Sequence, residues 1–250
     1  MNAPVTVSGL TKVFYDESRG PLKAVEGVDF ECYPGQIFGL LGANGAGKTT
    51  TLRMLATILQ PTSGHASVMG HDVASDPEAV RRNLGFNSST TALYPRLTAR
   101  ETLDFFARIN GVPGDRVRDR VEDLVRRFGI ADYADARVER LSQGMKQKVS
   151  IARTVAHDPP VLIFDEPTLG LDVLVARSLL DIVKQLRDQG KCIIFSTHIM
   201  REAERLCDQI AIIYRGRILD AGTLPELRDR HAEQDLEELF FRLIERQESR

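Results

Sequence analysis

Apolar residues recur along this chain in two rhythms. Nearly unbroken apolar runs at residues 37–41, 161–164 and 192–196 have the composition of strands buried on both faces. Further strand-like segments lie at residues 5–8, 25–32, 66–69, 210–214 and 217–220, and those that alternate with polar residues read as antiparallel or half exposed. Between residues 97 and 157 the rhythm is helical instead. Thr98-Ala99-Arg100-Glu101 has capping-box spacing ahead of Leu103, Phe105 and Phe106, and a second helix is predicted over residues 116–128. Residues 174–186 set Leu179, Ile182, Val183 and Leu186 on one helical face, as an outer helix packed on a sheet would. A last stripe of Leu236, Leu239, Phe240, Leu243 and Ile244 either buries against its own domain or meets a partner. The pattern predicts a single α/β domain over residues 1–250. Its core, residues 1–86 and 157–222, is interrupted by a helical insertion at residues 87–156 and followed by C-terminal helices at residues 223–250.

Composition narrows this picture in a few ways. With 250 residues, 42% of them hydrophobic, the chain can build a substantial core. Thirty-three Lys and Arg against 35 Asp and Glu give a net charge of -2, so no overall attraction to nucleic acid or anionic lipid is expected. The densest basic stretch, residues 116–127, is interleaved with Asp115, Asp119, Glu122 and Asp123 and reads as a solvated helix face with a Glu122–Arg126 pair. The 3 cysteines, Cys32, Cys192 and Cys207, are widely spaced and suit a reducing compartment. No signal-like start is present, and no apolar run approaches the roughly 20 residues that span a bilayer, so direct membrane insertion is not expected.

The candidate chemistry lies where the apolar runs end. Residues 37–41 lead into Gly42-Ala43-Asn44-Gly45-Ala46-Gly47-Lys48-Thr49, which fits G-x-x-x-x-G-K-[ST] in its required context of strand, turn and helix. Its glycines let backbone N–H groups close around anionic oxygens, Lys48 adds a point charge, and Thr49 offers a hydroxyl to Mg²⁺. The adjoining Thr50 belongs to the same candidate phosphate site, and the helix starting there directs its positive end at the phosphates. Residues 161–164 end in Asp165-Glu166, at the edge where parallel sheets bind ligands. Asp165 could hold Mg²⁺ through its water shell, and Glu166 could polarise a water aimed at a γ-phosphate. Successive strand side chains point in opposite directions, so two adjacent carboxylates can serve two roles. Residues 192–196 end at Thr197-His198, placing an imidazole at the same edge, although a lone histidine is more often structural. In Leu141-Ser142-Gln143-Gly144-Met145-Lys146-Gln147-Lys148, Ser142 is a good N-cap and Gly144 allows close approach, which makes a second anion site or simply a capped helix.

The P-loop, Leu141-Ser142-Gln143-Gly144, Asp165-Glu166-Pro167-Thr168, Leu169-Gly170-Leu171-Asp172 and Ser196-Thr197-His198 resemble, in this order, the Walker A, signature, Walker B, D-loop and switch-histidine motifs of ABC-transporter ATP-binding subunits. The resemblance spans about residues 5–225. It implies a P-loop NTPase core, a RecA-like mainly parallel sheet plus an antiparallel β subdomain, with an inserted α-helical subdomain. It implies ATP and Mg²⁺ as cofactors and ATP hydrolysis that moves a separate integral membrane permease. It also implies a second ATPase subunit, most simply a copy of this chain, stacked head to tail on the cytoplasmic face of the cell membrane. Ser142 and Gly144 would then touch the γ-phosphate held by the partner chain. Phe14 would stack on adenine, unless it is an ordinary aromatic near a strand end. Leu93, Tyr94 and Leu97 would line the groove for the permease, unless they pack locally.

Three departures mark the chain. The signature carries Gln143 and Met145 where glycine and glutamine are usual, Val173 follows Asp172 where proline is frequent, and Ser89 stands where the family's Q-loop glutamine is expected. Serine is too short to do that glutamine's work, which Asn87 or Thr90 would have to take over. Together with the run from Thr90 to Tyr94 and the run from Arg96 to Glu101, these residues resemble the Nat-type subgroup associated with sodium efflux. A soluble ABC-type ATP switch acting on ribosomes or DNA is the competing reading. A P-loop kinase or GTPase would leave the signature and His198 without a role.

Overall fold

The protein is described from a computed structural model, over residues 3–16, 20–88 and 92–249. In chain order its elements begin with β1 (Val5–Asp16), β2 (Gly20–Cys32), β3 (Ile37–Leu41), α1 (Lys48–Leu55), β4 (Ser63–Val68), β5 (His71–Asp72), α2 (Pro77–Asn83) and β6 (Leu84–Ser88). They continue with α3 (Ala99–Ile109), α4 (Gly114–Arg127), α5 (Gln143–Thr154), β7 (Val161–Asp165), α6 (Val173–Asp188) and β8 (Cys192–Thr197). The last are α7 (Met200–Leu206), β9 (Gln209–Tyr214), β10 (Arg217–Gly222), α8 (Leu224–His231) and α9 (Leu236–Glu248).

Two sheets form. One is antiparallel, in the order β2-β1-β4-β5, and the other runs β10-β9-β3-β8-β7-β6 with every pairing parallel except that of β10. The apolar runs sit at the centre of the larger sheet, and their alternation sorts them into two cores. Val161, Ile163, Cys192 and Ile194 face the antiparallel sheet and α1, whereas Leu162, Phe164, Ile193 and Phe195 face the core that includes residues of α3–α6. Both faces are therefore covered, as a parallel sheet requires.

Several elements depart from the pattern. β1 and β2 run to 12 and 13 residues because a bulged hairpin carries them past their apolar stretches. Strand β6 is absent from the apolar rhythm because it ends in Asn87 and Ser88, polar but buried; the sheet thus continues two residues beyond the expected core boundary at residue 86. Helix α2 is short, announced only by the Asp76 cap, which accepts from the Ala79 N–H, and by Pro77. The predicted capping box at Thr98 and Glu101 is present.

The basic stretch is less solvated than its charges suggest. Arg120 turns inward and donates to the Val155 and Ala156 carbonyls at 2.6 and 3.0 Å, fastening α4 to the end of α5. Glu122 pairs with Arg100 of α3, and Arg126 pairs with Asp123 at 2.9 Å, so the Glu122–Arg126 pair does not form. The C-terminal stripe is consumed within the chain: Leu236, Leu239, Phe240 and Leu243 of α9 are buried in a cluster with Ala203, Ile210 and Leu227.

Candidate nucleotide and catalytic site

Strand order and register assemble the site. β3, β8 and β7 are neighbours, with Leu41 level with Thr197 and Ser196 level with Asp165. The P-loop, the paired carboxylates and His198 therefore leave the sheet at one edge, three adjacent strand ends contributing one part each. A cavity of about 240 Å³ opens there, lined by Ala24, residues 44–50, Asp165 and Glu166.

The loop's composition follows from its surroundings. Gly47 has φ +107° and ends the loop where any Cβ would lie 2.6 Å from the Ala24 carbonyl oxygen, so only glycine fits. No side chain caps α1, whose first N–H groups remain available to a phosphate. Lys48 is buried and its ammonium donates to the Gly42 and Ala43 carbonyls at 2.6 and 3.1 Å, with Glu166 Oε1 at 3.1 Å. The other Glu166 oxygen faces His198 Nδ1 at 3.2 Å. Thr49 Oγ1 donates to Asp165 Oδ1 at 3.2 Å. Lysine, carboxylate and imidazole thus form one chain of contacts, and the Thr49–Asp165 pair lies alongside it.

The structure gives roles to Ser196 and Thr197, which the sequence showed only as flanks of His198, and adds Glu202. Ser196 is fully buried; its Oγ donates to Asp165 Oδ1 at 2.7 Å and accepts from the Glu166 N–H at 3.1 Å. One hydroxyl therefore orients both carboxylate-bearing residues. Thr197 Oγ1 donates to the buried Glu202 at 2.7 Å and accepts from the Ile199 N–H at 3.0 Å, which fixes the turn carrying His198. Glu166 itself has φ +48°, a left-handed backbone that is costly for a residue with a side chain. In the sequence Ser196 stands only as part of the Ser196-Thr197-His198 motif, with no role of its own. Replacing Ser196 with alanine leaves a buried carboxylate short of a donor, at a cost of about 1.5–3 kcal/mol. Thermal unfolding should show this as a drop of several degrees in Tm, and an unchanged Tm would contradict it.

The remaining candidates lie apart from this cavity. Ser142 caps α5, accepting from the Met145 N–H at 3.3 Å, and neither it nor Gly144 lines the cavity. Gly144 lies against α6, where a Cβ would meet Val175 Cγ1 at 2.9 Å. Phe14 is exposed on β1 with the Lys12 ammonium 5.3 Å from its ring centroid, and it too is outside the cavity wall. Asn87 is fully buried and donates to Ser150 Oγ at 2.8 Å, which commits it to α5. Ser89 and Thr90 lie outside the described residues. Tyr94 is exposed and packs edge-on against Phe105, with ring centroids 5.7 Å apart, and Leu93 packs at the margin of the helical core.

Comparison with known proteins agrees with this geometry. Residues 25–169 match the family model described as ABC transporter. The chain is 40% identical over 238 residues to the ABC transporter ATP-binding protein NatA of Bacillus subtilis, covering 95% of this chain and 96% of that protein. It is likewise 40% identical over 224 residues to the daunorubicin/doxorubicin resistance ATP-binding protein DrrA of Streptomyces peucetius, covering 90% of this chain and 66% of that one. A solved ATP-binding subunit of an ABC transporter superposes with a TM-score of 0.86 at 33% identity, covering 96% of this chain and 99% of that structure. With its P-loop, paired carboxylates and histidine gathered at one sheet edge, the chain belongs to the ABC transporter family as an ATP-binding, ATP-hydrolysing domain.

Proposed function

We propose that this chain is the ATPase subunit of an export system in which two subunits close around ATP and thereby move a separate integral membrane permease. The observation that carries the reading is the division of the anion-binding groups. Lys48, Thr49, Asp165 and Glu166 line one cavity and His198 contacts it through Glu166, whereas the capped start of α5 at Ser142 lies outside it. A nucleotide in the P-loop of one chain would leave its γ-phosphate for Ser142 and Gly144 of a second chain to cover. The motif resemblance supports the same pairing.

In this reading residues 42–50 bind the phosphates, Lys48 neutralises their charge, and Glu166 accepts a proton from the attacking water. His198 holds the far oxygen of that carboxylate. Phe14 serves as the adenine platform once the subunits close. Thr49 and Asp165 present hard oxygen donors 3.2 Å apart, a pair suited to Mg²⁺, which keeps most of its waters and takes one or two protein oxygens beside the phosphates. Bound there, Mg²⁺ would neutralise developing phosphate charge. Catalysis is then mainly positioning and charge stabilisation. We read residues 87–156 as the part that moves against the core of residues 1–86 and 157–222, with residues 223–250 as C-terminal helices.

Among the described residues no helix is long and apolar enough to cross a membrane, so transport in this reading depends on a partner chain at the cytoplasmic face. The export direction draws on relatives such as the daunorubicin/doxorubicin resistance protein. Sodium as cargo draws on the Nat-type resemblance alone. Affinity purification of the tagged chain from detergent-solubilised membranes is expected to recover an integral, multi-span protein at about equal stoichiometry. Recovery of ribosomes or DNA in its place would overturn the transport reading.

A further inference from the structure

Helix α5 carries Ser142 at its exposed start, and its next turns reach into the catalytic edge of the sheet. Gln147 and Ser150, three residues apart, lie on one face of the helix. Gln147 Nε2 donates to the Pro167 carbonyl at 2.8 Å and to Asn87 Oδ1 at 3.4 Å. Asn87 Nδ2 donates in turn to Ser150 Oγ at 2.8 Å. The orientation of both amides follows from chemistry. A carbonyl can only accept, so the Gln147 NH₂ must face Pro167, and its second N–H then meets the Asn87 oxygen. Asn87 sits at the end of β6, level with Phe164 of β7. The signature helix is thus tied both to the strand beside Asp165 and to the carbonyl of Pro167, the residue that follows Glu166.

The tie falls on a backbone that needs support. A left-handed residue with a side chain persists only where its surroundings over-determine it. At Glu166 the Ser196 hydroxyl and carbonyl accept the N–H at 3.1 and 3.2 Å, and the Glu166 carbonyl accepts from the Leu169 N–H at 3.2 Å. Both restraints belong to the sheet edge and its own turn. The grip of Gln147 on the Pro167 carbonyl is different in origin, since it comes from the helix that presents Ser142. Glu166 also stands between two cavities. It lines the P-loop cavity on one side, and on the other a space of about 320 Å³ lined by Gln143, Lys146, Gln147, Ser150 and Pro167.

We propose that Gln147 is a positioning residue for Glu166, passing the placement of the signature helix to the aim of the carboxylate in its own chain. This rests on the readings of Glu166 as general base and of Ser142 as a contact to the partner's nucleotide. When the nucleotide held by one chain seats against Ser142 of the other, α5 settles in that other chain and Gln147 fixes its Glu166. Engagement at one composite site therefore readies the base of the second, and the two sites become coupled in catalysis.

The test uses the full chain and four variants: Gln147→Leu, which removes both donors at similar size; Gln147→Lys, which keeps a donor; Glu166→Gln; and the Gln147→Leu/Glu166→Gln pair. Gln147→Leu is expected to lower kcat about tenfold, the scale of a misaligned catalytic group, with the Kd for ATP within about twofold. Its Hill coefficient for ATP should fall towards one, and Gln147→Lys should recover most of the rate. In the Glu166→Gln background the same leucine change should have no further effect on residual turnover. An unchanged kcat in Gln147→Leu, or equal proportional losses in both backgrounds, would overturn the proposal while leaving Glu166 as base. Near-normal turnover of Glu166→Gln alone would remove the underlying reading and the proposal with it.

Discussion

Replacing Glu166 with glutamine is expected to lower steady-state ATP turnover by roughly 10² to 10⁴, the scale of a lost general base, without weakening ATP binding. The amide is isosteric and can keep a contact with His198, so the loop that carries it has little reason to rearrange. What changes is the capacity to take a proton from water. Glu166 lies 3.1 Å from the Lys48 ammonium and lines the cavity meant for phosphate, so its negative charge opposes an incoming anion and competes for Lys48. Removing that charge should leave the Kd for ATP unchanged or tighter. Turnover assays alongside a nucleotide titration decide the matter, and turnover near that of the parent chain would refute the role.

Replacing Lys48 with alanine should have the opposite signature, losing binding as well as turnover. Its ammonium is buried and rests on the Gly42 and Ala43 carbonyls and on Glu166, positioned at the start of α1. A charge-assisted contact of this kind is worth about 1.5–3 kcal/mol, which corresponds to a loss of roughly ten- to a hundredfold in ATP affinity. The change also strips Glu166 of its cation, so the carboxylate then repels the phosphates without compensation. Calorimetric titration with ATP is the measurement, and an affinity within twofold of the parent would show that Lys48 does not reach the nucleotide.

What the sequence discloses here, and what it conceals, follows from the range of the interactions. The P-loop is legible because a strand, three glycines, a lysine and a threonine are adjacent in the chain, and their local geometry dictates the phosphate cradle. The strand ending at Asp165 is legible for the same reason. The role of Ser196 was not, because its double grip on Asp165 and Glu166 exists only once β7 and β8 are in register. Strand β6 was missed because Asn87 and Ser88 look like loop residues until Ser150 and Gln147 of α5 supply partners for Asn87. Arg120 illustrates the converse: an arginine in a charged helix reads as solvated, yet the carbonyls at the end of α5 draw it inward. The stripe on α9 was visible, but its destination inside the chain rather than against a partner was a question of tertiary packing. The positive φ of Glu166 has no signal in the sequence at all.

A site completed by two chains is tested most directly by the mass of the Glu166→Gln chain with and without ATP in sedimentation. The expected result is a species of the chain's own mass, 27.9 kDa, without nucleotide or with ADP, and one of twice that mass with ATP. Adding Ser142→Arg, which leaves the P-loop cavity intact, should keep the chain at single mass although ATP still binds. A Glu166→Gln chain saturated with ATP, one per chain, that remains at single mass would contradict the account.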